Sequence, residues 1–296
     1  MTAGIVALFL VAPLVVVPLG LRLLPVDDDM LARRLAGTAI RASVPSGALL
    51  GIGFVLPAGL VAAALTIPWL TVAALTATAA VIGLTRDPTL LRPGIRHATA
   101  AARLFLAVGA TFALVDRLGF RPFDFPATIV LLTAVHFHFA GFVLPIAGAL
   151  GYSRHPARWI ELALGVVILG IPLTALGFFG LPIVNWAGSM LVACGGFGIG
   201  IATWVVAGHL ATRPARLLAR IAAASLLLAM PMAATYSSGV LSGTTWLDLP
   251  TMARIHGSLN ALGFAVPVIV AWSLDARART LSIGPGALMA LGMAPQ

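Results

Sequence analysis

The 296-residue sequence has no lysine, a single glutamate (Glu161), a single cysteine (Cys194) and only two tyrosines. Each shortage excludes something. One thiol cannot close an internal disulfide, and without a C-x-x-C pair or an H-E-x-x-H helix the usual zinc frameworks are absent. No G-x-S-x-G, Walker or Rossmann signature stands in a suitable context, so those nucleophile and nucleotide sites are not expected. Charge is the largest shortage. Asp, Glu, Lys and Arg make up 9% of the chain, against about 25% in soluble proteins. That is too little to clothe a surface that faces water.

What is present fits a different solvent. Hydrophobic residues make up 60% of the chain and mean hydropathy is +1.06. The apolar runs are long enough for helices to cross a bilayer. The fold class expected is therefore an all-α, polytopic transmembrane helix bundle, with residues 1–296 as one helical domain. The net charge of +9 and pI of 11.6 would suggest nucleic acid in a soluble chain. Here the basic residues, all arginine, sit in short loops without interleaved aromatics, so membrane lipids are the expected partner and nucleic acid is not. Residues 1–20 lack a basic leader and a small-residue cleavage site, and are expected to be a retained span.

Hydropathy gives about nine spans (eight to nine), roughly 3–24, 45–64, 67–85, 98–118, 126–150, 157–181, 183–206, 215–237 and 252–274. The second and third form a nearly continuous run interrupted by Pro57 and Pro68, which suits a tight hairpin. The polar interval from Pro25 to Ser43 has room for a short interfacial helix. Its Asp27-Asp28-Asp29 run is expected to be a solvated loop face rather than a metal site. The tail after Asp275 is punctuated by Gly and Pro and is too short to fold alone. The arginines divide unevenly between the two sides: 15 follow odd-numbered spans, Arg92 among them, while Arg117, Arg121 and Arg254 lie opposite. The positive-inside rule then puts the N-terminus outside and the C-terminus inside.

Within the fifth span lies Thr133-Ala-Val-His136-Phe-His138-Phe-Ala-Gly141-Phe142-Val-Leu-Pro145. Imidazole has a polar edge that hydrocarbon cannot satisfy, so histidine near the midplane suggests a functional site. On a helix, positions i and i+2 point roughly 200° apart. His136 and His138 should thus face different neighbours unless the helix is locally unwound. A G-F-x-x-P pattern recurs at Gly53–Pro57, Gly141–Pro145 and Gly263–Pro267, and each proline leaves the carbonyl four residues earlier without its helical partner. Aligning the last two sets His138 against Asn260, which makes His138 the candidate for the cavity side.

By depth, Asp116, His136 or His138, Asn185, Tyr236, His256 and Asn260 could converge on one cavity in the outer half, with Trp186 beside Asn185 at the start of the seventh span. Phe142 and Phe264 would contribute apolar walls. Glu161 falls instead at the inner end of the sixth span. The H-x-H helix resembles the histidine pair of haem-copper oxidase core subunits, but the further histidines of that family, including an adjacent pair, are missing here. A His138–His256 bis-imidazole haem is the redox alternative; metal ligands are otherwise too few.

Over most of the span-rich region the chain resembles the YndJ-like family of bacterial membrane proteins. Ala134-Val-His136-Phe-His138-Phe-Ala-Gly141-Phe142 and His256-Gly-Ser-Leu-Asn260-Ala-Leu-Gly-Phe264 carry the resemblance. It implies a multi-pass protein of a bacterial cytoplasmic (inner) membrane, and points toward non-classical terpene cyclases of terpenoid biosynthesis. Acid-started cyclisation of a polyene or its epoxide needs a proton donor in a dry cavity and a base for the final deprotonation. Asp116 or Glu161 is the expected donor, with His136, His138, His256 and Asn260 as the network that orients it or takes the last proton. Substrate-binding candidates are Phe142, Asn185, Trp186, Tyr236 and Phe264. This isomerase-type reading requires a lipophilic substrate, with no cofactor and no metal. It has no D-x-D-D or diphosphate-binding Asp-rich helix. A small-molecule transporter built on the same kinked helices is the other alternative.

Overall fold

A computed structural model describes residues 2–25, 27–86 and 94–282. Arg92 and the tail after 282 lie outside these described residues. Among them every regular element is helical. Among the described residues nine helices are long and apolar enough to cross a membrane: α1 (Gly4–Leu23), α2 (Met30–Val55), α3 (Leu60–Thr85), α4 (Ile95–Leu118), α5 (Ala127–Arg154), α6 (Arg158–Gly177), α7 (Pro182–Ala207), α8 (Arg213–Ser242) and α9 (Leu249–Leu281). The chain is an all-α polytopic membrane helix bundle.

The largest correction concerns α2. It starts at Met30, not near residue 45, so Arg33, Arg34 and Arg41 ride on its first turns rather than in a loop with a separate interfacial helix. The Asp29 side chain explains the start, accepting from the N–H groups of Leu31 and Ala32 at 2.9 and 3.0 Å. It caps helix donors that have no partner of their own. The hairpin closes at Pro57 and Gly59, whose φ of +154° suits glycine alone. Pro68 stays inside α3.

Of the three aspartates only Asp28 is solvated, its side chain 79% exposed against 15% for Asp27 and 14% for Asp29, and all three are ion-paired. Asp27 takes both its oxygens to Arg103 at 3.0 Å, Asp28 pairs with Arg96, and Asp29 pairs with Arg86. The three carboxylates tie the α1–α2 connection to the facing ends of α3 and α4. Asp275 does the same across the bundle. It is fully buried and accepts from Arg154 (2.6 Å), Arg279 (2.9 Å) and the N–H of Ala211 (2.7 Å). These contacts gather the loops that follow odd-numbered helices at one end, here termed the arginine-rich end. Asp116, Arg117 and the turn at Leu56–Gly59 meet at the other end.

The helices have no hydrophobic drive toward one another in lipid, so close packing must hold them together. Between α6 and α7, a methyl added at Gly188 would come within 2.3 Å of the Thr174 nitrogen, and one at Gly195 within 2.7 Å of the Ala163 carbonyl oxygen. Backbones touch there because the side chains are missing. α5 is the central helix: 72% of its apolar window is buried, more than any other span. It is apolar on every side from Phe142 to Ala149, as expected of a helix surrounded by α1, α4, α6, α7 and α9.

Candidate functional site

Three helices lose their α-helical winding at the same place. π-helical segments occupy Ala12–Val16 in α1, Phe137–Gly141 in α5, and Met252–His256 with Leu259–Ala265 in α9. The α1 segment touches that of α5, and the α5 segment touches the second of α9. Proline supplies the cause in α5 and α9. Pro145 and Pro267 donate no hydrogen bond to the carbonyls of Gly141 and Gly263, and the widened turns lie directly upstream. Such turns are rare and cluster at functional sites. In α2 the same G-F-x-x-P pattern merely ends the helix.

The widened turn divides the two histidines. His138 is fully buried. Its Nδ1 donates to the Ala134 carbonyl (2.8 Å), and its Nε2 accepts from the indole N–H of Trp69 (2.9 Å). A carbonyl only accepts and an indole N–H only donates, so the tautomer is fixed and both ring nitrogens are used. The indole lies nearly parallel to the ring, 18° between planes, and Phe9 meets it edge-on. His138 is therefore not the cavity-facing histidine, and the His138–His256 haem pair is excluded because His138 has no free nitrogen. The alignment with Asn260 misled because a π-turn shifts the angular register.

His136 has the opposite environment. Its ring is exposed and its Nδ1 donates to the Leu132 carbonyl at 3.0 Å. His256, half-buried, donates from Nδ1 across to the Ala229 carbonyl of α8 at 3.0 Å. By the same donor–acceptor logic each ring carries its proton on Nδ1 and leaves Nε2 open as a base. His136 lies within electrostatic reach of His256. Asn260, one turn further along α9, donates to the His256 carbonyl at 2.9 Å, which occupies a main-chain group left loose by the π-turns. His136 is the tenth residue of α5 and His256 the eighth of α9. At 1.5 Å per residue both lie roughly 10–14 Å below the end opposite the arginines, in the half of the bundle where the sequence puts them.

The other candidates do not join them. Asp116 is buried but held by Arg117 (Nε, 2.9 Å), whose guanidinium also lies over Phe54 and reaches the Leu56 carbonyl. It fastens α4 to the α2–α3 turn. Glu161 lies in the first turn of α6, at the arginine-rich end of the bundle. Asn185 donates to the Thr174 carbonyl (2.9 Å) and Trp186 to Ser238 (3.1 Å), which locks α7 to α6 and α8. Tyr236 is half-buried on α8. Phe142 and Phe264, 0% and 3% exposed, are core; the Phe142 ring fills the space a methyl on Gly20 would need. In a low-dielectric interior a polar group is drawn to a nearby partner: Asn185 and Trp186 bond between helices, while Asp116 pairs with the adjacent Arg117. Among the described residues no group of three His, Cys, Asp or Glu could hold a metal.

Sequence reasoning missed Trp69 and Asp275. Nothing in its own span marks Trp69 as a partner for a residue 69 positions away. Asp275 did carry a signal, a carboxylate four residues before Arg279 on the last span.

Nine membrane-length apolar helices among the described residues define the class: a multi-pass membrane protein. The chain belongs to a family described as YndJ-like protein, whose profile matches residues 7–264. It is 29% identical over 178 residues to a Bacillus subtilis (strain 168) protein named "Uncharacterized membrane protein YndJ". That match covers 58% of this chain and 32% of the relative, so the chain spans about a third of the relative's length. No solved structure matches the chain.

Proposed function

We propose that the chain is an intramembrane enzyme acting on a lipophilic, isoprenoid-like substrate, with His136 and His256 as its proton-handling pair. The observation that carries this reading is their matched geometry. Both rings spend Nδ1 on a main-chain carbonyl, both leave Nε2 open, and they lie within electrostatic reach of each other. Two positive charges on interacting rings in an apolar medium repel, so at most one of the two holds an extra proton at a time. One ring then serves as acid while the other stays a base.

That division fits cyclisation. The imidazolium gives its proton to an alkene carbon or an epoxide oxygen, and the resulting cation closes a carbon–carbon bond with a neighbouring double bond. The neutral imidazole removes a proton from the carbon next to the final cation, forming a new double bond. The proton is returned and the reaction is an isomerisation. The π-turns keep the two rings at fixed orientations, and Asn260 holds the main chain beneath His256. Asp116 and Glu161 drop out of the catalytic roles, because one is engaged by Arg117 and the other lies at the far end. By the positive-inside rule the arginine-rich end faces the cytoplasm of the host's inner membrane.

The test is product analysis in membranes expressing the chain, supplied with prenyl chains and their terminal epoxides. Cyclised product should form and should vanish in H136A and H256A while H138 variants that fold retain it. Product unaffected by either alanine overturns the assignment. A second reading, a small-molecule carrier, draws on the interrupted helices α1, α5 and α9, since broken helices line carrier sites. Energy-dependent uptake into vesicles without chemical change would favour it.

A further inference from the structure

Among the described residues the arginine-rich end carries more guanidinium groups than carboxylates. Asp27, Asp28, Asp29 and Asp275 are committed to Arg103, Arg96, Arg86, and the pair Arg154 and Arg279. At the start of α8 stand Arg213, Arg216 and Arg220, three and then four residues apart, so all three share one face of the helix. Among the described residues none of their guanidiniums meets a carboxylate. They line a cavity of about 410 Å³ together with Gly208 and Leu217. Among the described residues no acidic one contributes to its wall.

An arginine cluster of this kind costs self-repulsion, and an anion relieves it. The fork of the guanidinium matches the oxygens of a phosphate. The surroundings choose among phosphates. Leu217 is 61% exposed within the wall, and Ile221 and Trp204, 43% and 51% exposed, stand one turn deeper on α8 and α7. Charge at the membrane boundary followed inward by bare apolar surface is the profile of a lipid, with its headgroup at the arginines and its chains beside the helices.

We infer that the cleft formed by Arg213, Arg216 and Arg220 with Gly208 and Leu217 binds the phosphate headgroup of an anionic membrane phospholipid. The site is separate from the histidine pair and stands or falls without it.

The experiment uses the full chain in detergent, titrated with phosphatidylglycerol, phosphatidylcholine or inorganic phosphate, with bound lipid counted by native mass spectrometry. Phosphatidylglycerol should bind tightly and phosphatidylcholine at least tenfold more weakly. Inorganic phosphate should fail to displace the lipid at matched concentration. At about 1 kcal/mol for each basic residue near a lipid surface, R213Q/R216Q/R220Q should lose affinity on the order of a hundredfold. The Lys triple variant should keep most of it. If the Gln triple variant does not fold, R220Q alone, on an exposed position, should lose roughly fivefold. Equal binding of the two lipids overturns the inference, as do displacement by phosphate and undiminished binding in the Gln variants.

Discussion

The Trp69–His138 contact offers the sharpest test of how this bundle treats a polar group. Phenylalanine at position 69 removes the only hydrogen that the His138 Nε2 accepts, at a site with no exposed surface and with the other ring nitrogen already committed. Hydrogen bonds between membrane helices average about 0.6 kcal/mol and reach about 1.7. A buried acceptor left without a partner costs about 1–3. Complete burial puts this contact at the upper end, about 2 kcal/mol, to which the smaller ring adds roughly 1 kcal/mol of lost packing. W69F should therefore destabilise by about 3 kcal/mol, and H138L, which strands the indole N–H, by about 2. The double variant strands nothing. It should cost about 3 kcal/mol, leaving a coupling of about 2 between the two positions. Equilibrium unfolding of all four proteins in one detergent, with denaturant titrated against helicity, measures each value. Additivity within about 0.5 kcal/mol would refute the contact and the fixed tautomer drawn from it.

Three further outcomes follow from other contacts. A methyl at Gly109 would lie 2.7 Å from the His138 Nδ1, so G109A should cost about 1–3 kcal/mol through overpacking; unchanged unfolding would show that His138 can yield. D275N removes the charge that Arg154, Arg279 and the Ala211 N–H share and should destabilise by about 3 kcal/mol or more, since two cations lose a buried partner. Asp248 caps the start of α9, and hydrogen bonds from Thr251 hold its carboxyl below the ordinary 3.8. Its stabilisation is then complete above that value and lost only as pH falls further, through the lowered value. D248A should melt below the parent at pH 7, and the two should converge only well below pH 3.8; a gap that does not narrow at all as pH falls through that acid range would refute the capping role.

Composition and period determined the class of this protein. With so few charges and such long apolar runs, nine helices in a membrane were the physical solution open to the chain, because hydrocarbon offers backbone groups no other partner. The arginines fixed which helix ends share a side, and the Asp–Arg contacts gather along that division. Pro145 and Pro267 also announced where α5 and α9 would loosen. Tertiary structure decided the rest. His136 and His138 are two residues apart and alike in chemistry, yet one is sealed by Trp69, Ala134 and Phe9 while the other is exposed with its Nδ1 on the Leu132 carbonyl. That choice depends on a π-turn that resets the angle between them and on partners about 70 and 120 positions away. The same holds for Asp116, Asn185 and Trp186. A polar side chain in a low-dielectric bundle settles on whichever donor or carbonyl the folded helices bring nearest, and that neighbour is a property of the packing.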